Sequence, residues 1–453
     1  MKSGYYIYNN EKYKFELDDE YITVVNENGV DWKKFVDNLN GKYKEKHNIQ
    51  ILKVKLFPNW NDAIIFHNHN LDSIGSVSTF RILGIIEFKY EEQKIDALNI
   101  YAKELEYIYD SRRVLDSIKY SQKGNMDFKI KSFEEVNSLK KKIKLKDTIV
   151  NYSFEIERKV STKDINNYFI ANALLKFEWN SLLEDYNLIY DIIMTGYTFI
   201  SYLYYRQNIN FKCIELLKKD EKGKYFPVAQ MTLFIHNIDE AEEDYIKKYH
   251  INYDYIKTID HKILQAIVDE KIFIRHIPEN ELKRNQITPQ SFVIVSSAFE
   301  WEFKQLFPNG VEHTKTKINK MEEIKNDLLQ LSVNYDKQKN KIIKKIVEDV
   351  GRDNLESKII YTNKKLSNIS EIFLQYLCNL NYIKNKNKIF TNLQKLRNDF
   401  AHGNMDIDID SDGFVGIIYL ERLIYIMQLK RFGLDDENIK KAINKLFGGN
   451  IAL

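Results

Sequence analysis

Apolar positions recur with one rhythm in the first half of the chain and another in the second. "YYIYNNEKYKFEL" (5–17), "IQILKVKLF" (49–57) and "RILGIIEFKY" (81–90) alternate apolar and polar residues, or run apolar, over strand lengths. Asn-rich and charged clusters separate them, so the pattern predicts β-strands joined by turns. Residues 95–119 read as a helix-like interval. The lysine-dense "LKKKIKLKD" (139–147) predicts an edge strand or a solvated face, with an RNA contact as the functional alternative.

The middle of the chain opens on "NNYFIANALLKFEWNSLLEDYNLIYDIIMTGYTFISYLYYRQ" (166–207), where apolar residues recur at three and four, a helix-permissive spacing. "FKCIELLKKDEKGKYFPVAQMTLFI" (211–235) predicts two strands around a charged, glycine-containing turn, with Pro227 suggesting an edge position. A further helix is expected over 255–269. Residues 277–290, with two of the five prolines, read as a linker in which Thr288 and Pro289 suit an N-cap and a first helical position.

From residue 290 onward the pattern is helical. Successive amphipathic stretches are 291–307, one long helix over 317–350, then 367–383, 389–403 and 414–433, the last ended by Gly433. The reading is therefore α+β. A β-rich domain (1–160) and a mixed middle region (161–285) precede an all-helical domain (286–453).

Composition narrows the classes of function. A net charge of +3 excludes a polycation, so any nucleic-acid contact must come from a local patch. Cys213 and Cys378 stand far apart with no metal spacing, which suits a reducing cytoplasm. The opening residues lack an apolar signal core. The most apolar stretch, 186–205, carries Asp191 near its middle, and is expected to be a buried helix rather than a membrane span. No cofactor is expected: "GRDNLES" (351–357) lacks the lysine and second glycine of a phosphate-binding loop. No metal is expected either. "HNHN" (67–70) has no matching ligand pair nearby, and "DIDSDG" (408–413) lacks the glutamate a calcium loop needs at Tyr419. The latter is expected to be an acidic turn with an N-cap.

The chemistry is concentrated in "LQKLRNDFAHGNMDID" (393–408). Leu393, Leu396 and Phe400 form an apolar stripe, which leaves Arg397 and His402 off the core face. Five residues are about 140° of helical rotation, so the two side chains converge only if the last turn opens. Gly403 offers a place for the helix to end. Such a pair suits RNA cleavage, because RNA carries its own nucleophile, the 2′-OH. Histidine supplies a general acid or base near neutrality, and arginine a planar donor for phosphate charge. No metal is required, and a 2′,3′-cyclic phosphate with a 5′-OH would result. The bare spacing arises by chance in about one chain in five of this composition. The bland alternative is a solvated helix end with Arg397 bridging Asp399 or Asp406.

Context adds to the motif. "LRNDFAHG" late in a C-terminal helical domain resembles the R-x4–6-H motif of the HEPN superfamily, with Arg397, Asn398 and His402 matching position by position. The upstream "SSAFEWEFKQLFP" (296–308) and the β-rich region ending in "YYRQNINFKCIELLKKDEKGKYFPVAQMTLFI" (204–235) are similar to ApeA-like anti-phage HEPN proteins. The resemblance implies a helical bundle that forms a homodimer with a composite ribonuclease site acting on RNA, tRNA among the candidates. Arg397 would contact the scissile phosphate and His402 would be the general acid or base. Asn398 would orient one of them or bind phosphate, with Glu300 and Asp399 as supporting residues. Lys384, Lys386 and Lys388, close to the motif, are candidate RNA-backbone contacts, or a solvated connector. The N-terminal region would sense a phage-derived trigger in an abortive-infection response. The rival readings are a non-catalytic HEPN module that binds RNA or protein, and a HEPN partner of a nucleotidyltransferase.

Overall fold

The computed structural model describes residues 2–8, 11–18, 21–25, 49–74, 77–120, 126–160, 169–183, 185–234, 241–284, 286–333, 335–378, 382–404, 406–449 and 451. The chain forms two compact units, Met1–Asp254 with Asp260–Asp269, and Tyr255–Ile259 with Glu270–Leu453. The first is a sheet-rich antiparallel region and the second is all-helical, so the class is α+β.

In the first unit, β1 (Lys2–Tyr8) pairs with β2 (Glu11–Leu17) on one side and β4 (Ile49–Leu56) on the other. From β2 the pairing passes to β3 (Tyr21–Val25), β6 (Val77–Phe88), β5 (Asn61–Ile74) and back to β4, which closes a six-strand barrel. Alternate residues of these strands fill it: Phe15, Ile22, Val24, Leu52, Val54 and Ile65 belong to one buried cluster. That alternation is the pattern read within 5–17, 49–57 and 81–90, because a strand buried on one face repeats every two residues; β3 and β5 are not among the strands expected.

The second half of β6 also pairs with β14 (Tyr225–Leu233), and a further antiparallel sheet continues from there. Its order is β10 (Lys141–Leu145), β11 (Thr148–Val160), β12 (Phe169–Leu183), β7 (Ile95–Ala102), β13 (Phe211–Lys219), β14. The β13–β14 hairpin is as expected, but β14 is not an edge strand, since it pairs with β13 on one side and β6 on the other; Pro227 sits where the β13 register shifts, before the β6 pairing begins at Ala229. β10 is the edge strand the lysine pattern suggested: Lys142 and Lys144 are exposed while Ile143 and Leu145 are buried. Its outer backbone is covered by Gln265 of α2 (Asp260–Val268), which accepts from the Lys144 N–H at 2.8 Å and donates to the Lys144 carbonyl at 3.0 Å. A pair of strands, β8 (Leu115–Tyr120) and β9 (Met126–Ile130), forms a separate ribbon.

Two helical expectations fail here. The interval 95–119 begins with β7 and continues through short helical turns into β8. Within 166–207, Phe169–Leu183 is β12, and among the described residues only Tyr186–Tyr204 is helix, α1. Both strands lie inside the sheet. In β12, Ala173, Leu175, Phe177 and Trp179 are buried on one face while Lys176 and Glu178 pair on the other, a two-residue alternation that adjacent apolar residues such as Leu174 and Leu175 also let read at a helical spacing. Pairing of Val160 with Phe169 also joins the strands on either side of the expected boundary at 160. α1 is buried along almost its whole length, and none of the described helices is long and apolar enough to cross a membrane.

The second unit opens with α3 (Pro289–Leu306), capped as expected by Thr288 with Pro289 in its first turn. The single helix expected over 317–350 is instead α4 (Lys315–Ser332) and α5 (Lys337–Asp349). Asp336 accepts from the N–H groups of Gln338 and Lys339, so its carboxylate starts a new helix where the apolar stripe alone suggests continuity. There follow α6 (Leu355–Lys365), α7 (Ser367–Cys378), α8 (Tyr382–Ala401), α9 (Ser411–Phe432) and α10 (Asp436–Phe447). Every residue of α9 from Tyr419 to Leu429 except Glu421 is buried, the mark of a central helix. It packs on α3, α7, α8 and α10. Gly413 and Gly416 admit α8 closely, since a Cβ there would lie 2.6 Å from Leu396 Cδ1 and 2.7 Å from Leu393 Cγ.

His276 lies in the core of this unit near Phe273 and Tyr425, and burial pushes its imidazole down to about 3. The unfolded chain, with an ordinary histidine, takes up the proton first as pH falls. Stability from this group is therefore complete above about pH 6.5 and is lost towards pH 3, at up to about 1.4 kcal/mol per pH unit. Urea midpoints at pH 7 and pH 4.5 are expected to fall with acidification in the wild type. The fall is expected to be shallower in His276→Leu.

Candidate functional site

The roll of α8 is set by its apolar stripe. Leu393, Leu396 and Phe400 are buried, and Phe400 meets Phe292 of α3 edge-on at 5.4 Å. Arg397 is thereby turned out of the core, 39% exposed, and its Nη2 lies 3.5 Å from Glu300 Oε2 on α3. The other Glu300 oxygen accepts from Lys358 Nζ of α6 at 3.0 Å. One carboxylate thus sits between two cations from different helices. The bland alternative of Arg397 bridging Asp399 or Asp406 is not what forms.

These groups border a cleft of about 630 Å³, whose wall includes Glu300, Lys358, Gln394, Arg397 and Asn398, with Arg352 from the segment after α5. Gln394 ties the walls together. Its Oε1 accepts from the Leu355 N–H at the start of α6 at 2.7 Å, and its Nε2 donates to Asn398 Oδ1 at 2.8 Å. That fixes the Asn398 amide with its carbonyl oxygen engaged, leaving the NH2 as the group it can offer. Asp353, on the same wall, holds His313 Nε2 at 3.0 Å and accepts from the Val311 N–H.

His402 is placed differently. The last turn of α8 does not open: the His402 N–H bonds to the Asn398 carbonyl at 3.0 Å. Gly403 then takes φ 85°. Its N–H reaches the Phe400 carbonyl at 3.1 Å and the Asn404 N–H reaches the Asp399 carbonyl at 3.0 Å, a Schellman ending. His402 is exposed at this helix end and is not among the residues lining the Arg397 cleft. The convergence expected from an opened turn does not occur within one chain. Asp399 contributes its carbonyl to the helix ending. Substituting Gly403 with alanine meets open space but forces an L-residue into the left-handed region, at a cost of about 1–2 kcal/mol. Gly403→Ala is expected to fray this turn, read as faster amide exchange at His402 and Asn404 with the α9 core unchanged.

Of the lysines beside the motif, Lys386 pairs with Glu371 at 3.5 Å and Lys388 with Asp412 at 2.6 Å, while the Lys384 side chain lies outside the described residues. Their charges are committed to α7 and α9. Lys358, Gln394 and Arg352 were not singled out from the sequence. Only the i, i+4 step from Gln394 to Asn398 was a local signal, and Lys358 arrives from a helix far along the chain.

Asp410 caps α9, accepting from the Gly413 N–H at 2.8 Å and from Asn392 at 2.6 Å, so the acidic turn does what its sequence suggested. His67 of the "HNHN" segment is buried in β5, and the His69 side chain lies outside the described residues. Among the described residues, no three His, Cys, Asp or Glu side chains form a group able to hold a metal ion. No protein-family model, curated protein or solved structure matches the chain.

Proposed function

We propose that the helical unit is an endoribonuclease of the HEPN kind, working without a metal and completed by a second copy of the chain. The observation that carries this reading is the Arg397 cleft. A guanidinium, an ammonium and an amide donor from three positions line a space large enough for a phosphodiester, and Glu300 is ion-paired to both cations. A phosphate entering there competes with Glu300 for Arg397 and Lys358, and gains charge-assisted bonds to each. The 2′-oxygen attacks phosphorus, the bond to the 5′-oxygen breaks, and the products are a 2′,3′-cyclic phosphate and a 5′-OH. Arg397 stabilises charge on the phosphate oxygens. His402 takes the 2′-OH proton or supplies one to the leaving oxygen.

His402 stands outside its own chain's cleft, so the histidine in this scheme comes from the partner copy across a two-fold axis. The sheet-rich unit is read as the sensor of a cytoplasmic anti-phage system of the ApeA-like type, with RNA, tRNA among the candidates, as the target. The same separation of His402 from Arg397 favours one second reading, a HEPN module that binds RNA without cutting it. Incubation with total bacterial RNA, with and without EDTA, separates the two. EDTA-resistant fragments ending in cyclic phosphate are expected from the nuclease, and intact but bound RNA from the module.

A further inference from the structure

α5 carries five lysines in thirteen residues, "KQKNKIIKKIVED". Lys337, Lys341, Lys344 and Lys345 follow the spacing i, i+4, i+7, i+8. At 100° per residue they fall within an arc of about 100°, on a ridge about 12 Å long. All four are exposed, and none has an ion pair among the described residues. Lys339, off the ridge, is the α5 lysine that pairs, with Asp336 at 3.9 Å. Glu348 is the one α5 carboxylate within the same arc. The contrast with Lys386 and Lys388, both neutralised by carboxylates of neighbouring helices, is direct.

The ridge has a direction. Lys337, Lys341 and Lys345 step by four residues towards Asp349, and Asp349 lines the Arg397 cleft together with Arg352 just beyond it. Residues four apart stand about 5–6 Å from one another on a helix surface. The row of unpaired ammonium groups therefore ends one turn from the cleft wall. α4 and α5 pack on each other, and both are exposed along nearly their whole length. The lysine face is thus open to a long ligand.

We propose that this ridge binds the backbone of an RNA strand flanking the phosphodiester seated in the Arg397 cleft. It rests on the reading of that cleft as an RNA site, and adds that the substrate extends beyond the cleaved bond. Lysines act here as point charges on successive phosphates, so the contribution is independent of sequence and sensitive to salt.

The test uses the full chain carrying His402→Ala, so that the probe stays intact. It compares single-stranded RNAs of about 20 and about 4 nucleotides by fluorescence anisotropy across about 50–200 mM salt. Replacing Lys337, Lys341, Lys344 and Lys345 together by glutamine is expected to flatten the salt slope for the longer RNA by about 3, from roughly 0.7 per phosphate contact. The short RNA is expected to bind the two proteins alike. Four arginines in place of the lysines are expected to retain the wild-type slope. An unchanged slope in the glutamine variant overturns the proposal while leaving the cleft reading standing. Absence of RNA binding by any form overturns both. A lost slope in a protein that never cuts RNA supports the ridge and removes the nuclease.

Discussion

Arg397→Ala is expected to lower RNA cleavage by about 10²–10³-fold, the scale for removing one preorganised donor to developing charge. His402→Ala is expected to lower it by about 10²–10⁴-fold, the scale for a general acid or base. Neither change touches the core. Arg397 is 39% exposed with one long ion pair, and His402 is exposed at a helix end, so unfolding curves should stay close to wild type. The informative experiment mixes the two inactive proteins after dissociation. If Arg397 of one copy works with His402 of the other, a mixed dimer has one intact and one doubly defective site. Random re-pairing of equal amounts then restores about a quarter of wild-type activity. A mixture as inactive as its components, with both single variants dead, would mean that each site needs both residues from one chain, or from both copies. Cleavage that survives both single changes would remove the proposed site.

The largest expected effect on stability lies in the sheet-rich unit. Glu104, just after β7, and Arg206, just after α1, form an ion pair of 2.5 Å. Both are enclosed, at 2% and 0% exposure. Burial raises the Glu104 carboxyl above its ordinary range, and the Arg206 guanidinium opposes that rise. The guanidinium also donates to Asn208 and lies 5.1 Å from the Tyr204 ring, whose hydroxyl donates to the Glu104 carbonyl at 3.0 Å. Glu104→Ala strands a buried cation, and is expected to cost about 3–5 kcal/mol. Urea unfolding followed on the β-sheet signal checks it. Replacing both partners by methionine is expected to cost less than either single change, because no uncompensated charge remains. An equal loss in the double variant would mean that packing around Tyr204, not the ion pair, holds α1 to the β7 end.

What the sequence by itself determined is what neighbours along the chain determine. The barrel strands within 5–17, 49–57 and 81–90 showed their two-residue alternation because one face of each meets a filled interior. Thr288, Pro289, Asp410 and Gly433 marked helix ends, because caps act on backbone groups within three or four residues. The stripe of Leu393, Leu396 and Phe400 placed Arg397 and His402 off the core for the same local reason. Tertiary structure decided the rest. β7 and β12 are strands because partners on both sides satisfy their backbone, which the spacing of apolar residues along the chain does not decide. The break at Asp336 depended on one carboxylate winning over a continuing stripe. Lys358 and Glu300 came to Arg397 from helices 39 and 97 residues away. Gly413 and Gly416 of α9 set how closely α8 can approach. His402, five residues on, stayed on a closed turn and out of that cleft, since the 3.6-residue helical period carries residues five apart to different faces.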